Sequence, residues 1–104
     1  MNNHETITIQ PKFDLGTVVA TPAALDAIRG SAQSPADFLR RHQRGDWGDL
    51  CAEDRSANWA ALLHGTRLLS VYSTARGVPI WIITESIDET GRRGTTTILL
   101  PDEY

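Results

Sequence analysis

The sequence predicts an α+β fold, with short N-terminal helices packed on one face of a C-terminal antiparallel meander of three to four strands. Three observations carry that reading. Thr21-Pro22 and Ser34-Pro35 each open a stretch with apolar residues at helical spacing, a capping hydroxyl followed by a proline whose missing N–H costs nothing in the first turn. After Gly65 the apolar period changes from helical to strictly alternating. The three alternating runs that follow are joined by short glycine-containing loops, and strands connected in that way pair antiparallel with their neighbours.

At 104 residues the chain has the size of one domain with a single modest core. Residues 1–12 are polar, with a brief Thr/Ile alternation over 6–9 cut off by Pro11. They are expected to form a loose arm ahead of one globular unit over 13–104. Leu15 to Ala20 is β-prone and should join the sheet at an edge. Thr21 then caps a short helix from Ala23 to Arg29, with Leu25 and Ile28 inward and Gly30 as its stop. In Ser34-Pro35-Ala36-Asp37 the device returns with an acid placed near the positive helix end. That helix should run to Gln43 or Arg44, with Phe38, Leu39 and His42 on one face, and end at Gly45 in a left-handed conformation. Asp46-Trp47-Gly48-Asp49 follows as a tight turn in which Trp47 can fold back over the helix end. A third helix is expected from Asp54 to Leu63, with Trp59, Leu62 and Leu63 as core candidates and His64-Gly65 closing it. The strands are Leu68 to Ser73, Ile80 to Glu85 and Thr95 to Leu100, with turns at Arg76-Gly77 and Asp88 to Gly94.

Composition narrows the function classes. A hydrophobic content of 40% and a charged content of 22% are those of an ordinary globular protein, and a formal charge of −3 gives no electrostatic footprint for DNA or RNA. Arg40, Arg41 and Arg44 with His42 form one local basic cluster, offset by Asp37, Asp46 and Asp49, and read as a solvated helix face. Neither a nucleic-acid partner nor a membrane is expected. The single cysteine, Cys51, excludes an internal disulfide, and the neighbouring Asp49, Glu53 and Asp54 disfavour a reactive thiolate. With no leader pattern and no apolar run of about 18 residues, a cytoplasmic protein is expected.

The segment from Phe38 to Leu50 holds the densest mixture of polar, aromatic and glycine residues. Its candidates for catalysis are His42, Asp46 and Asp49, joined by Asp54 and Asn58, with Tyr72 and Glu85 arriving from the sheet. In an enzyme, His42 would be a general base oriented by an aspartate, or part of a mixed nitrogen and oxygen metal site. The spacing matches no diagnostic motif, so neither a metal nor a cofactor is expected. The same residues also have structural uses: Asp46 and Asp49 as acceptors in the turn, Asp54 as a helix cap, Asn58 on a loop carbonyl, and His42 as a donor to a carboxylate. Read as an interaction surface, the segment offers Arg41, His42, Asp46, Trp47 and Asp49, with Trp47 as an exposed anchor. The C-terminal residues 99–104 read as a docked tail.

Beyond these local signals, several stretches together resemble a family of small proteins carried by plasmids, prophages and other mobile elements of bacteria. They are Phe13-Asp-Leu-Gly16 with Thr21-Pro22, Phe38-Leu39 with Arg41-His42, Gly45-Asp-Trp-Gly-Asp49, and Asp54 with Asn58. The likeness continues in Gly65-Thr-Arg67, Leu69-Ser70, Tyr72, Trp81-Ile-Ile-Thr-Glu85 and Thr95 to Tyr104. Such proteins often carry the label of a type I restriction methylating subunit. That activity requires a glycine-rich cofactor loop and an Asn/Asp-Pro-Pro-aromatic motif, and this chain has neither. The resemblance implies an accessory protein that acts by binding a host or mobile-element protein, blunting a defence system such as restriction or CRISPR interference. A small hydrolase or transferase using the His/Asp residues of the turn is the alternative. An exposed sheet edge also allows a homodimer.

Overall fold

In the computed structural model, which describes residues 10–104, the helices start where their caps dictate. Thr21 Oγ1 accepts the Ala24 N–H at 3.1 Å and Pro22 takes the first helical position, so α1 spans Pro22–Gly30. Ser34 Oγ accepts the Ala36 N–H while Asp37 accepts the Ser34 N–H at 3.0 Å, and α2 spans Pro35–Gln43. Gly45, at φ +83°, turns the chain out of α2. The third helix, α3, spans Ala52–His64 and closes at Gly65, φ +75°. It begins earlier than the expected start at Asp54 and has Cys51 at its cap position, with no side-chain cap bond. Glu53 and Asp54 instead lie in its first turn, where their charge favours the positive helix end.

Four strands form one sheet: β1 (Thr17–Ala20), β2 (Leu68–Ser73), β3 (Pro79–Thr84) and β4 (Thr95–Leu99), in the order β1-β4-β3-β2. The last three are the expected antiparallel meander. The first strand sits at an edge, as expected, but runs parallel to β4, which makes the sheet mixed. A parallel pair needs a long crossover, and all three helices and two strands lie between these partners. The expected strand-like alternation over 6–9, and most of the expected arm, lie outside the described residues; Lys12 is tied down, its N–H bonded to Gln43 C=O at 2.8 Å.

Strand register puts even-numbered side chains of β2, β3 and β4 on the face that meets the helices. Tyr72, Ile80, Ile82 and Ile98 pack there with Ala24, Ile28 and Phe38. Beside this cluster, Leu68 packs with Trp47, Leu50 and Ala61. The odd-numbered face carries Leu69, Val71, Trp81, Ile83, Thr97 and Leu99, together with Val19 of β1. Ala24 and Ile28 of α1 and Phe38 of α2 pack on the even-numbered face, while on the odd-numbered one Leu69 and Val71 reach the Trp47, Leu50 and Ala61 cluster and Ile83 and Leu99 are buried. A short 3₁₀ turn, Pro101–Glu103, brings Tyr104 across Trp81 with ring centroids 5.5 Å apart, the docked tail the sequence suggested.

Two core expectations on α3 fail. Trp59 is 49% exposed and Leu63 80% exposed, while Asn58 and Ala61 are buried. The helix packs chiefly against β2, the edge strand, so only a narrow stripe of it turns inward.

Candidate functional site

His42 is completely buried, and both of its ring nitrogens are occupied. Nδ1 lies 2.5 Å from Ser70 Oγ and Nε2 lies 2.8 Å from Thr84 Oγ1. Thr84 Oγ1 in turn is 2.8 Å from Thr96 Oγ1, and Thr96 donates to the Leu15 carbonyl at 2.7 Å. A carbonyl only accepts, and that end condition fixes every proton in the chain. Thr96 spends its hydrogen on Leu15, so it accepts from Thr84. Thr84 therefore accepts from Nε2–H of His42, and Nδ1 accepts from Ser70. Burial, with the nearby Arg93 guanidinium adding to it, pushes the imidazole down to about 3, so the ring is neutral and held in the Nε2–H tautomer. Phe13 and Trp47 close over it edge-on, with centroids at 5.0 and 5.9 Å. The expected carboxylate partner is replaced by hydroxyls from β2 and β3.

The turn that follows α2 consists of structural bonds. Asp46 takes the Arg41 guanidinium at 2.7 and 3.4 Å and accepts the Gly48 N–H at 3.3 Å. The Arg41 hydrogen bond holds the Asp46 carboxyl below its ordinary range. Tyr72 donates to the Asp46 carbonyl at 2.6 Å, and burial raises its phenol above the usual value. The Arg41 guanidinium lies 4.4 Å from the Tyr72 ring centre. Trp47, expected as an exposed anchor, is only 3% exposed; it packs edge-on against Trp59 and its indole N–H has no acceptor among the described residues. Asp49 contributes its backbone N–H to the Val71 carbonyl at 2.7 Å, while its side chain is exposed.

These bonds finish an edge. In β2 the odd-numbered backbone groups point away from β3. The Val71 N–H goes to the Trp47 carbonyl at 3.1 Å, and its carbonyl receives Asp49. Leu69 is gripped by the Asn58 side chain, which donates to its carbonyl at 2.6 Å and accepts its N–H at 3.1 Å. Gly48 makes the close approach possible: its φ is +75°, and a Cβ there would sit 1.9 Å from the Val71 carbonyl oxygen. Asn58 therefore bonds a carbonyl as expected, but that carbonyl belongs to a strand rather than a loop.

The sequence-derived candidates do not converge. Thr84 faces His42, so Glu85, the next residue in extended backbone, lies on the opposite side of the sheet, where it pairs with Arg67 at 3.9 Å. Asp54 is exposed on α3. The cleft at the turn, about 210 Å³, is lined by Gly45, Asp46, Trp47, Gly48, Arg55 and Trp59, with His42, Tyr72 and Glu85 outside it. Among the described residues no group of three or more potential ligands could hold a metal. Sequence reasoning missed Arg93, which is buried and donates to the carbonyls of Ala61, Thr66 and Glu85 at 3.2, 2.6 and 2.9 Å. Its acceptors are backbone carbonyls 8, 27 and 32 residues away, which no side-chain pattern in the sequence marks.

Across the sheet, Arg67 donates to the Tyr104 hydroxyl at 2.5 Å beside a second cleft of about 330 Å³. Leu68, Leu69, Trp81 and Ile83 complete its wall. No family model, curated protein or solved structure matches the chain.

Proposed function

We propose that this chain is a non-enzymatic binding protein whose contact surface is the odd-numbered face of the sheet, around the cleft of Trp81 and Tyr104. One observation carries the proposal: His42 is sealed in the core and Asp46 is paired with Arg41, while an apolar cleft of about 330 Å³ lies on that face. His42 and Ser70 touch as a base and a nucleophile would, yet both are fully buried and line neither of the two clefts described above. The cleft of Arg67, Leu69, Trp81, Ile83 and Tyr104 has an apolar floor and a polar rim, in which Arg67 faces Glu85. That is the pattern of a protein contact, an apolar centre that gives affinity with charges around it that set register. Following the family resemblance read from the sequence, the partner we propose is a bacterial defence protein or a protein of the mobile element itself. With a net charge of only −3, binding by shape outweighs mimicry of DNA.

The experiment is plasmid establishment in a restricting or CRISPR-active host, paired with capture of the partner on the purified protein. Leu69→Arg places a charge in the cleft floor, and Asp49→Ala removes an exposed acid from the turn. Loss of both protection and capture in folded Leu69→Arg, with Asp49→Ala unchanged, is the expected result. The reverse pattern would move the contact to the turn. Protection by neither wild type nor variants in any host tested would refute the reading.

A further inference from the structure

The two edges of the sheet are treated differently. The β2 edge is closed by Asn58 on Leu69 and by the 47–49 segment on Val71. Among the described residues the β1 edge has no such cover. The Thr17 N–H bonds the Gly94 carbonyl and the Thr21 N–H bonds the Ile98 carbonyl, so odd-numbered backbone groups of this strand face β4. Even-numbered groups therefore point outward, and among the described residues nothing bonds the N–H or C=O of Val18 and Ala20. Bare edges in monomeric proteins are blunted by lysine, proline, bulges or shortening. Thr17-Val18-Val19-Ala20 is short, at four residues, but has no charge, no proline and no glycine, and Val18 and Val19 are 40% and 45% exposed.

We propose that this edge pairs with the same edge of a second copy of the chain, antiparallel about a two-fold axis through Val19. What fits the edge is another extended backbone, and a second copy always supplies one. The strand is neutral, so self-pairing sets no like charges against each other despite a net charge of −3. The register follows from the free groups. Centred on Val19, the pairing lets Val18 exchange both hydrogen bonds with Ala20 of the partner, and Ala20 with Val18 of the partner, four bonds in all. Centring on Val18 would need extended backbone at Gly16, which sits at φ +65°. A centre at Ala20 would bring in Pro22, which has no N–H to give. With the Val19 centre the two Val19 side chains meet in a non-hydrogen-bonded pair, where cross-strand contact is closest. They meet on the odd-numbered face, so the sheets join into eight strands that carry this face on one side. This inference is independent of the function proposed above.

The test is sedimentation of the full chain across a wide concentration range, with folding checked by circular dichroism. Wild type should dimerise. Val19→Lys and Val19→Asp, at an exposed position, should each fold and weaken the dimer by at least about tenfold, because like charges then face each other on the axis. An equimolar mixture of the two should recover a heterodimer, which tests the register itself. Leu63→Lys, at an exposed position on α3, should leave the dimer unchanged. The proposal is overturned by a wild-type monomer throughout, or by variants as dimeric as wild type. It also fails if the mixture forms no heterodimer. A monomer that dimerises only after deletion of residues 2–9 would give the edge to the chain's own N-terminus and equally overturn it.

Discussion

Lowering the pH should destabilise this protein through one buried histidine, and the size of the effect can be worked out. His42 is neutral in the folded state because burial, aided by Arg93, holds it down to about 3, against an ordinary value of 6.5. In the unfolded chain the ring takes up a proton as the pH falls through 6.5, and in the folded protein it does not. The unfolded state then binds more protons, so the stabilisation is complete above 6.5 and declines steadily as the pH drops toward 3. The slope is roughly 1 kcal/mol per pH unit, or about 2–3 kcal/mol lost by pH 4.5. Asp46, whose carboxyl is held below 3.8 by Arg41, acts only at the acid end of this window. Urea unfolding followed by tryptophan fluorescence at several pH values between 7 and 4.5 measures the slope. The comparator is His42→Gln, whose amide can still accept from Ser70 and donate to Thr84 but cannot titrate. Exposed groups are common to both proteins and cancel. Equal slopes in the two would refute the buried, neutral assignment of His42.

Further expectations follow from the same bonds. Thr84→Val keeps the shape but strands the Nε2–H of His42, and should cost about 2 kcal/mol in urea unfolding, whereas Thr84→Ser should cost well under half of that. Gly48→Ala forces a side chain into the Val71 carbonyl at a positive φ, and should cost more than about 3 kcal/mol; hydrogen exchange at the Asp49 and Val71 amides should lose protection first. Asn58→Ala uncaps both backbone groups of Leu69 and should lower stability by roughly 2 kcal/mol. Asn58→Asp, unable to donate to the carbonyl, should not restore it. Arg93→Met should cost about 3 kcal/mol, read as a fall in the thermal midpoint, because three carbonyls, one buried and two half-buried, lose a charged donor.

What could be read in the sequence was local. Thr21-Pro22, the Ser34/Asp37 box, Gly45 and Gly65 act within a few residues of themselves, and the alternation from Leu68 to Leu99 needs no knowledge of a partner strand. The parallel pairing of β1 with β4 joins residues nearly eighty positions apart, and nothing in four β-prone residues specifies direction. The candidate site was ambiguous for a related reason. His, Asp, Gly and Trp crowded into one segment are the residue types of catalysis, and also of a chain that must approach a strand edge and satisfy its backbone. Which use holds depends on what stands opposite. Opposite His42 are Ser70 and Thr84, 28 and 42 residues away; opposite Gly48 is the Val71 carbonyl; opposite Asn58 is the backbone of Leu69. Each partner lies in the sheet, so the segment that looked most like chemistry closes the β2 edge and plugs the core behind it. Among the described residues such backbone partners are missing at the β1 edge, next to the face that Val19, Trp81 and Ile83 share.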